Sequence, residues 1–297
     1  MTQLDKLNSF KTLYLSELAN VPTFNNNWGH CKSEIEEILD GSEDLLKIGQ
    51  NLSNIFRSIP SNRSQSGVAQ AGAMWECLVS WYLSLIFWNT NVLSVKWKQA
   101  FIPKLIVDAL TVTIRNISTT SEADLVSYAV PLTSDHEINN LEGVNNAINN
   151  EIGSNRNQLS LNVMQLKVNW NENAQIPMLW DFVYNSQDVN IPYVQIGVNG
   201  YNPNVFDNFS YSFTTVPTKG NGNLDNYKID GVNTQRVANL TGGNYWGYET
   251  KSGVSSNINE YFMKNFRNSF NGESLNSHIN KNLTDTNYLD KFLNLKF

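Results

Sequence analysis

The chain has 297 residues, of which 41% are hydrophobic and 16% are charged, so it can form one large domain or two modest ones. Its formal net charge of -6 counts against binding nucleic acid through overall basic charge, although a local basic surface would suffice. The two cysteines, Cys31 and Cys77, follow no ligand spacing, which indicates a reducing cytoplasm and no zinc site.

The N-terminal part is predicted to be helical, because apolar residues recur at helical spacing through residues 3–60. The run Asp40, Gly41 and Ser42 is expected to break it, with Ser42 capping the next helix. A polar loop is expected at residues 60–67. The first residues lack the basic-then-apolar pattern of a signal peptide, which favours a cytoplasmic protein.

Residues 68–88 are largely apolar and predict a helix in the core. Their length approaches that of a membrane span. However, Gln70, Glu76, Ser80 and Ser84 interrupt the run, and a helix that is apolar all round is typical of the core of a sizeable protein. We therefore expect no membrane partner.

Two predicted strands frame the candidate site, at residues 121–130 and 161–170. Between them, residues 133–158 carry apolar side chains at helical spacing and predict a helix. An earlier strand is predicted at 92–98, whereas the pattern of residues 104–116 is ambiguous between helix and strand.

The remainder is predicted as a helix at 174–184 beside Pro177, strands at 193–198 and 209–216, loops at 220–231 and 240–253, and helices at 257–270 and 284–296. No repeat or low-complexity linker separates domains. We predict an α/β (α+β) fold and a single domain over residues 1–297. It divides into a helical N-terminal part (1–60), a catalytic core (61–216), and loops with C-terminal helices (217–297).

Gln165, Leu166 and Lys167 lie in the second of these strands, and Asp124 opens the first. Since side chains at i and i+2 leave a strand on the same face, Gln165 and Lys167 are expected to point together. Phosphodiester hydrolysis needs an attacking water, an anchored divalent cation and a positive group near the phosphate. Asp124, the Gln165 carbonyl and the main-chain oxygen of Leu166 could ligate Mg²⁺, and Lys167 could orient or deprotonate the water.

The acid followed by Gln-x-Lys resembles the PD-(D/E)XK nuclease motif, with two departures. Ala123 stands where the motif has proline, and Gln165 stands where it has an acid. Residues 61–184, and mainly the runs 73–83, 121–125 and 167–181, look like a group of type II restriction endonucleases. The resemblance implies a restriction-endonuclease-like core, with a central mixed sheet flanked by helices. It also implies Mg²⁺-dependent cleavage of double-stranded DNA at a short specific site in a prokaryotic cytoplasm, alongside a cognate DNA methyltransferase.

Glu76 is a further candidate for the catalytic and metal site. Burying an unpaired carboxylate on a core helix is costly, and nucleases of the resembled fold often place a helical Glu beside the metal. Alternatively, it is an ordinary Glu at a polar seam. Glu122 and Asp108 are reserve acids. Asp124 and Lys167 also have non-catalytic interpretations. Asp124 could be an acid that flanks a strand, and Lys167 could be a solvated lysine on an edge strand.

DNA recognition would use side chains that pair with base edges, because Asn and Gln pair with adenine, and Arg and Lys with guanine. The candidates are Asn169, Asn171, Asn173, Gln175, Arg156, Lys219 and Arg236. Asn-rich loops are also ordinary turns. Two-fold symmetry would match a palindromic site, so a homodimer is expected.

Two other functions compete with a restriction enzyme. A nuclease with the same core could act in DNA repair or on DNA structures. A carbohydrate-binding module is the alternative from another class, because aromatic and Asn residues are abundant after residue 190.

Overall fold

A computed structural model describes residues 1–39, 44–60, 65–120, 123–154, 159–168, 193–215, 245–246, 255–256, 258–266, 269 and 273–295. Within these residues the chain is a mixed α/β structure. Its helices are α1 Gln3–Ala19, α2 Pro22–Leu39, α3 Leu45–Ser58, α4 Gln65–Ile86, α5 Lys104–Ala109, α6 Leu141–Ser154, α7 Ile258–Asn265, α8 Leu275–Leu283 and α9 Tyr288–Leu293. Its strands are β1 Val92–Lys96, β2 Thr111–Ile114, β3 Ile117–Thr120, β4 Leu125–Ala129, β5 Ser160–Lys167, β6 Val194–Ile196, β7 Asn208–Thr215, β8 Tyr245–Trp246 and β9 Ser255–Ser256.

The helical N-terminal part is confirmed. Thr2 caps α1 in a reciprocal pair of hydrogen bonds with Asp5, which satisfies two of the free donors at the helix start. The N-cap of α3 is Asp44 and not Ser42, whose predicted break with Asp40 and Gly41 cannot be compared with the structure. The Asp44 carboxylate accepts a hydrogen bond from the Leu46 N–H at 3.1 Å. Residues 40–43 lie outside the described part.

Helix α4 explains why its sequence is apolar all round. It contacts α1, α2 and α3 on one side and strands β1 and β5 on the other, and Trp75, Trp81 and Tyr82 on it are fully buried. Tyr82 donates a hydrogen bond to the Leu45 carbonyl at 3.0 Å. Among the described helices, none combines the length and hydropathy needed to cross a bilayer. The predicted core helix at 68–88 is confirmed.

The main sheet has the strand order β1-β4-β5-β7-β8-β9. Strand β4 runs antiparallel to both β1 and β5, whereas β7 runs parallel to β5. The antiparallel pair β4–β5 is joined through α6, the helix predicted between the two site strands. A crossover is required for the parallel pair; residues 169–192, between β5 and β6, lie outside the described part.

A second sheet of three strands has the order β3-β2-β6. It resolves the ambiguous segment 104–116, whose first half is helix α5 and whose second half is strand β2. Strands β2 and β3 form a hairpin in which Ile114 pairs with Ile117. The predicted strands at 92–98, 193–198 and 209–216 are confirmed as β1, β6 and β7.

Candidate functional site

Asp124 lies at the end of the main sheet, one residue before β4, and is tied into it on both sides. Its N–H donates to the Met164 carbonyl at 3.1 Å, and its carbonyl accepts from the Trp97 N–H at 3.0 Å. Its side chain then turns toward β5, where Oδ2 accepts the main-chain N–H of Leu166 at 2.6 Å. The carboxylate therefore takes the place of a backbone acceptor, in a charge-assisted bond that fixes its position.

Gln165 is the second member of the site. Its Nε2 donates to Asp124 Oδ2 at 2.8 Å, and an ionised carboxylate can only accept, so this orientation of the amide is the one that fits. The side chain is 3% exposed. Its Oε1 is buried and accepts no hydrogen bond from any residue that the structure describes. A buried acceptor without a donor costs about 1–3 kcal/mol, a cost that a bound water or cation would remove.

Lys167 ends strand β5 and is half-buried. It stands two residues from Gln165, so the two side chains lie on the same face of the sheet, as predicted. Within the described part of the chain, its ammonium forms no direct ion pair with Asp124, so any link between the two groups needs a bridging water. Lys167 occupies the rim of the face on which Asp124 and Gln165 meet.

The structure does not bring Glu76 to this pair. Glu76 Oε2 lies 2.9 Å from Lys96 Nζ, in an ion pair whose side chains are 27% and 20% exposed. Lys96 pairs with Leu125 across the sheet, and Leu125 alternates with Asp124, so Lys96 and Asp124 point to opposite faces. The Glu76 carboxylate is balanced by Lys96 on the other side of the sheet, and its predicted role in holding a cation stays a prediction.

Cys77 adjoins that ion pair and is completely buried. Burial raises the pKa of its thiol to about 11, although Lys96 Nζ lies 3.6 Å from its Sγ. Because the thiolate is the nucleophilic form, the protonated Cys77 is a packing residue at neutral pH and not a nucleophile.

All seven predicted DNA-reading residues lie outside the described part: Asn169, Asn171, Asn173, Gln175, Arg156, Lys219 and Arg236. The reserve acid Glu122 is outside it as well. The other reserve, Asp108, lies on α5 and is held by Lys104 Nζ at 2.5 Å and Asn199 Nδ2 at 3.1 Å. In the residues that are described, no three His, Cys, Asp or Glu side chains form a group able to hold a metal.

Among the described residues, the side-chain donors at the site are one carboxylate and one amide carbonyl. Both are hard oxygen ligands of the kind that Mg²⁺ binds, with water completing its coordination, and the undonated Gln165 Oε1 fits that use. The sequence reasoning had missed the Leu166 N–H, which fixes the carboxylate, and Lys96, which neutralises Glu76. Side chains alternate between the two faces along a strand. This alternation is the signal that could have assigned Lys96 and Asp124 to opposite faces of the sheet.

Comparison with protein-family models and with curated proteins finds no match to this chain.

Proposed function

We propose that this chain is a Mg²⁺-dependent endonuclease with a restriction-endonuclease-like core, which cuts double-stranded DNA at a specific site as a homodimer. The observation that carries the proposal is the buried Gln165 Oε1, which no described residue satisfies, beside the Asp124 carboxylate. The mixed sheet is consistent with it, since the antiparallel strands β4 and β5 bring an acid and an amide together from 41 residues apart.

The proposed reaction is hydrolysis of a phosphodiester by water. Asp124 Oδ2 is fixed by two donors and Gln165 Oε1 by its own amide, so the two oxygens present a rigid, partly negative site. When bound there, Mg²⁺ supplies Lewis-acid polarisation of the phosphate and a more acidic water. Lys167 orients the attacking water and offsets the negative charge that develops on the phosphate.

Glu76 has no part in this scheme, because its carboxylate is paired with Lys96 on the opposite face. Glu122 is the acid nearest to Asp124 in sequence, two residues before it. It is the residue that would supply the charge missing at Gln165.

The test is digestion of supercoiled plasmid and phage DNA with and without Mg²⁺. Discrete bands on a gel support a sequence-specific enzyme, whereas smears or nicks support the repair or structure-specific alternative. The Lys167→Ala variant should lose about 10²- to 10⁴-fold in cleavage rate, the range of a positioned proton-transfer group, and still bind DNA.

The matched control is Lys98→Ala. Lys98 is half-exposed and pairs with Glu17 on the surface, so its removal deletes the same charge away from the site and should leave cleavage unchanged. Thermal unfolding of both variants checks that they fold. Cleavage by Lys167→Ala at the wild-type rate would reject the assignment. A glycan array with hits and no DNA cleavage would favour the carbohydrate-binding alternative.

A further inference from the structure

The β2–β3 hairpin is the outer part of the second sheet, where β6 pairs with β2 as far as Ile114, and its turn and outer strand β3 have little cover. Every residue from Ile114 to Thr120 is exposed, and two of them are large and apolar: Ile114 is 45% exposed and Ile117 is 74% exposed. The outer strand β3 has no neighbour on its free side among the described strands. Isolated exposed apolar residues are ordinary, but here they occupy both sides of an exposed turn at the edge of the sheet.

The tip of the hairpin is built around Arg115. Its backbone lies in the left-handed region with φ 56°, which non-glycine residues adopt only rarely. The conformation is held by the Arg115 N–H, which donates to the Tyr193 carbonyl at 2.7 Å. The guanidinium lies 5.7 Å from the centre of the exposed Tyr193 ring, a cation–π contact that orients the charge. The tip therefore presents a fixed arginine followed by Asn116.

The charge of this segment is opposite to that of the whole chain. Residues 109–120 contain one arginine and no acidic residue, whereas the net charge of the chain is -6. The remaining exposed side chains of the ribbon are hydroxyls and one amide, from Asn116, Ser118, Thr119 and Thr120. Arg, Asn, Ser and Thr are the side chains that donate to phosphates and to base edges in DNA.

The dimensions also fit a duplex. Because β6 pairs with β2 as far as Ile114, the part free to enter the major groove, which is about 12 Å wide, is the turn together with the outer strand β3. Asp124 follows Thr120 by four residues, so chain length alone keeps them within about 14 Å. Along the strand from Thr120 back to Arg115 at the tip, the rise per residue gives a distance of about 17 Å. The tip and Asp124 therefore lie within about one helical turn of DNA of each other, which is about 34 Å.

We propose that the β2–β3 hairpin enters a groove of the DNA duplex and that Arg115 and Asn116 at its tip contact phosphates or base edges. This inference rests on the proposed nuclease function, and it assigns the surface that holds the substrate. The exposed Ile117 would then meet the apolar edge of a base, such as a thymine methyl group. The uncharged free edge of β3 would be covered by DNA and not by another strand.

The experiment measures binding of a fluorescein-labelled duplex of mixed sequence by anisotropy, with EDTA present so that no strand is cut. Arg115→Gly removes the guanidinium and suits the left-handed backbone. It should bind at least about five-fold more weakly, and the slope of log affinity against log salt should fall by about 0.9, as for the loss of one phosphate contact. Arg57→Ala is the matched control, since Arg57 is an exposed arginine on α3, and it should bind like wild type.

Ile117→Lys separates DNA from a second copy of this chain as the occupant of the hairpin. If DNA covers it, the added charge should tighten binding and steepen the salt slope, with no change in sedimentation velocity. Conversion of a dimer into a monomer by Ile117→Lys, with DNA affinity unchanged, overturns the inference and makes the hairpin a dimer contact. Wild-type affinity in Arg115→Gly also overturns it. The proposed function survives that result if Mg²⁺-dependent cleavage still depends on Lys167.

Discussion

The two faces of the main sheet each carry a carboxylate beside a nitrogen group, and the two pairs differ in charge. On one face, Glu76 lies 2.9 Å from the ammonium of Lys96, so the pair is neutral as a whole. On the other, Asp124 lies 2.8 Å from the neutral amide of Gln165, whose Oε1 is buried and satisfied by no described residue. The proposed function assigns the cation to this second pair.

The comparison also shows how similar residues acquire different roles. Lys96 is the last residue of β1 and Lys167 is the last residue of β5. Both strands pair with β4. Lys96 points to the face covered by α4, where Glu76 meets it. Lys167 shares the face of Gln165 and makes no ion pair with the described residues, so its charge is available to a phosphate. Position in the strand alternation, and not residue type, separates a structural lysine from a candidate catalytic one.

The largest expected difference is in catalysis. Asp124→Asn should reduce Mg²⁺-dependent DNA cleavage by at least about a hundredfold, the loss seen when one oriented electrostatic group is removed. Glu76→Gln should leave the cleavage rate close to wild type, because that carboxylate faces away from the site. Initial rates on a plasmid measure both. An inactive but folded Glu76→Gln variant would place Glu76 back in the site and break the comparison.

A second variant places at position 165 the acid that the PD-(D/E)XK motif has there. Gln165→Glu puts two carboxylates in contact, and two unit charges about 4 Å apart repel by about 4 kcal/mol at an effective dielectric of about 20. Without metal, the melting temperature should fall, and the pKa of the pair should rise as one acid keeps its proton. Added Mg²⁺ should raise the melting temperature of the variant more than that of wild type.

Gln195→Glu is the matched control for that experiment, because Gln195 is exposed on β6 and its substitution adds the same charge away from Asp124. Its melting temperature should respond to Mg²⁺ as wild type does. An equal Mg²⁺ response in Gln165→Glu and Gln195→Glu would show that the Asp124 pair does not bind the cation.

The neutral pair should matter for stability alone. Lys96→Met leaves Glu76 half-buried without its partner, and we expect a loss of about 1–3 kcal/mol in the free energy of unfolding, below the range for fully buried pairs. The surface pair Lys98–Glu17, with side chains 51% and 50% exposed, is the comparison, and Lys98→Met should cost less than about 1 kcal/mol. Urea unfolding measures both. A double-mutant cycle with Glu76→Gln isolates the pair energy, and equal costs at the two sites would contradict the burial argument.

The elements that could be predicted from sequence are those whose apolar pattern faces a buried partner. Strand β5 and helix α6 follow this rule, with apolar residues recurring at the spacing of the element. The β2–β3 hairpin was missed because Ile114 and Ile117 face solvent, so no buried face marks it. Helix α8 was missed because its sequence is mostly polar; it is held by tertiary contacts, with His278 and Asn282 both bonded to the Trp88 carbonyl.

The site was predictable only in part, for a geometric reason. The common face of Gln165 and Lys167 follows from strand alternation, which is local. The contact between Asp124 and Gln165 depends on the register of β4 against β5, with Leu125 opposite Met164, and no local pattern sets that register. The ion pair of Glu76 with Lys96 was not predictable for the same reason, since the side of the sheet on which α4 packs is a property of the whole fold.

The smallest expected effect is a dependence of stability on pH that comes from His278. Burial lowers the pKa of His278, whose Nε2 lies 2.8 Å from the Trp88 carbonyl. The unfolded chain therefore takes up a proton near pH 6.5 that the folded chain takes up only at lower pH. Stability is complete above that value and falls as pH decreases toward the folded pKa, by at most about 1.4 kcal/mol per pH unit. Carboxylates with ordinary pKa values near 4 contribute only at lower pH.

Urea unfolding between about pH 7 and 5.5 should show this slope in wild type and in His30→Gln, which alters an exposed histidine, and not in His278→Gln. An unchanged slope in His278→Gln would mean that a group other than His278 titrates in that range.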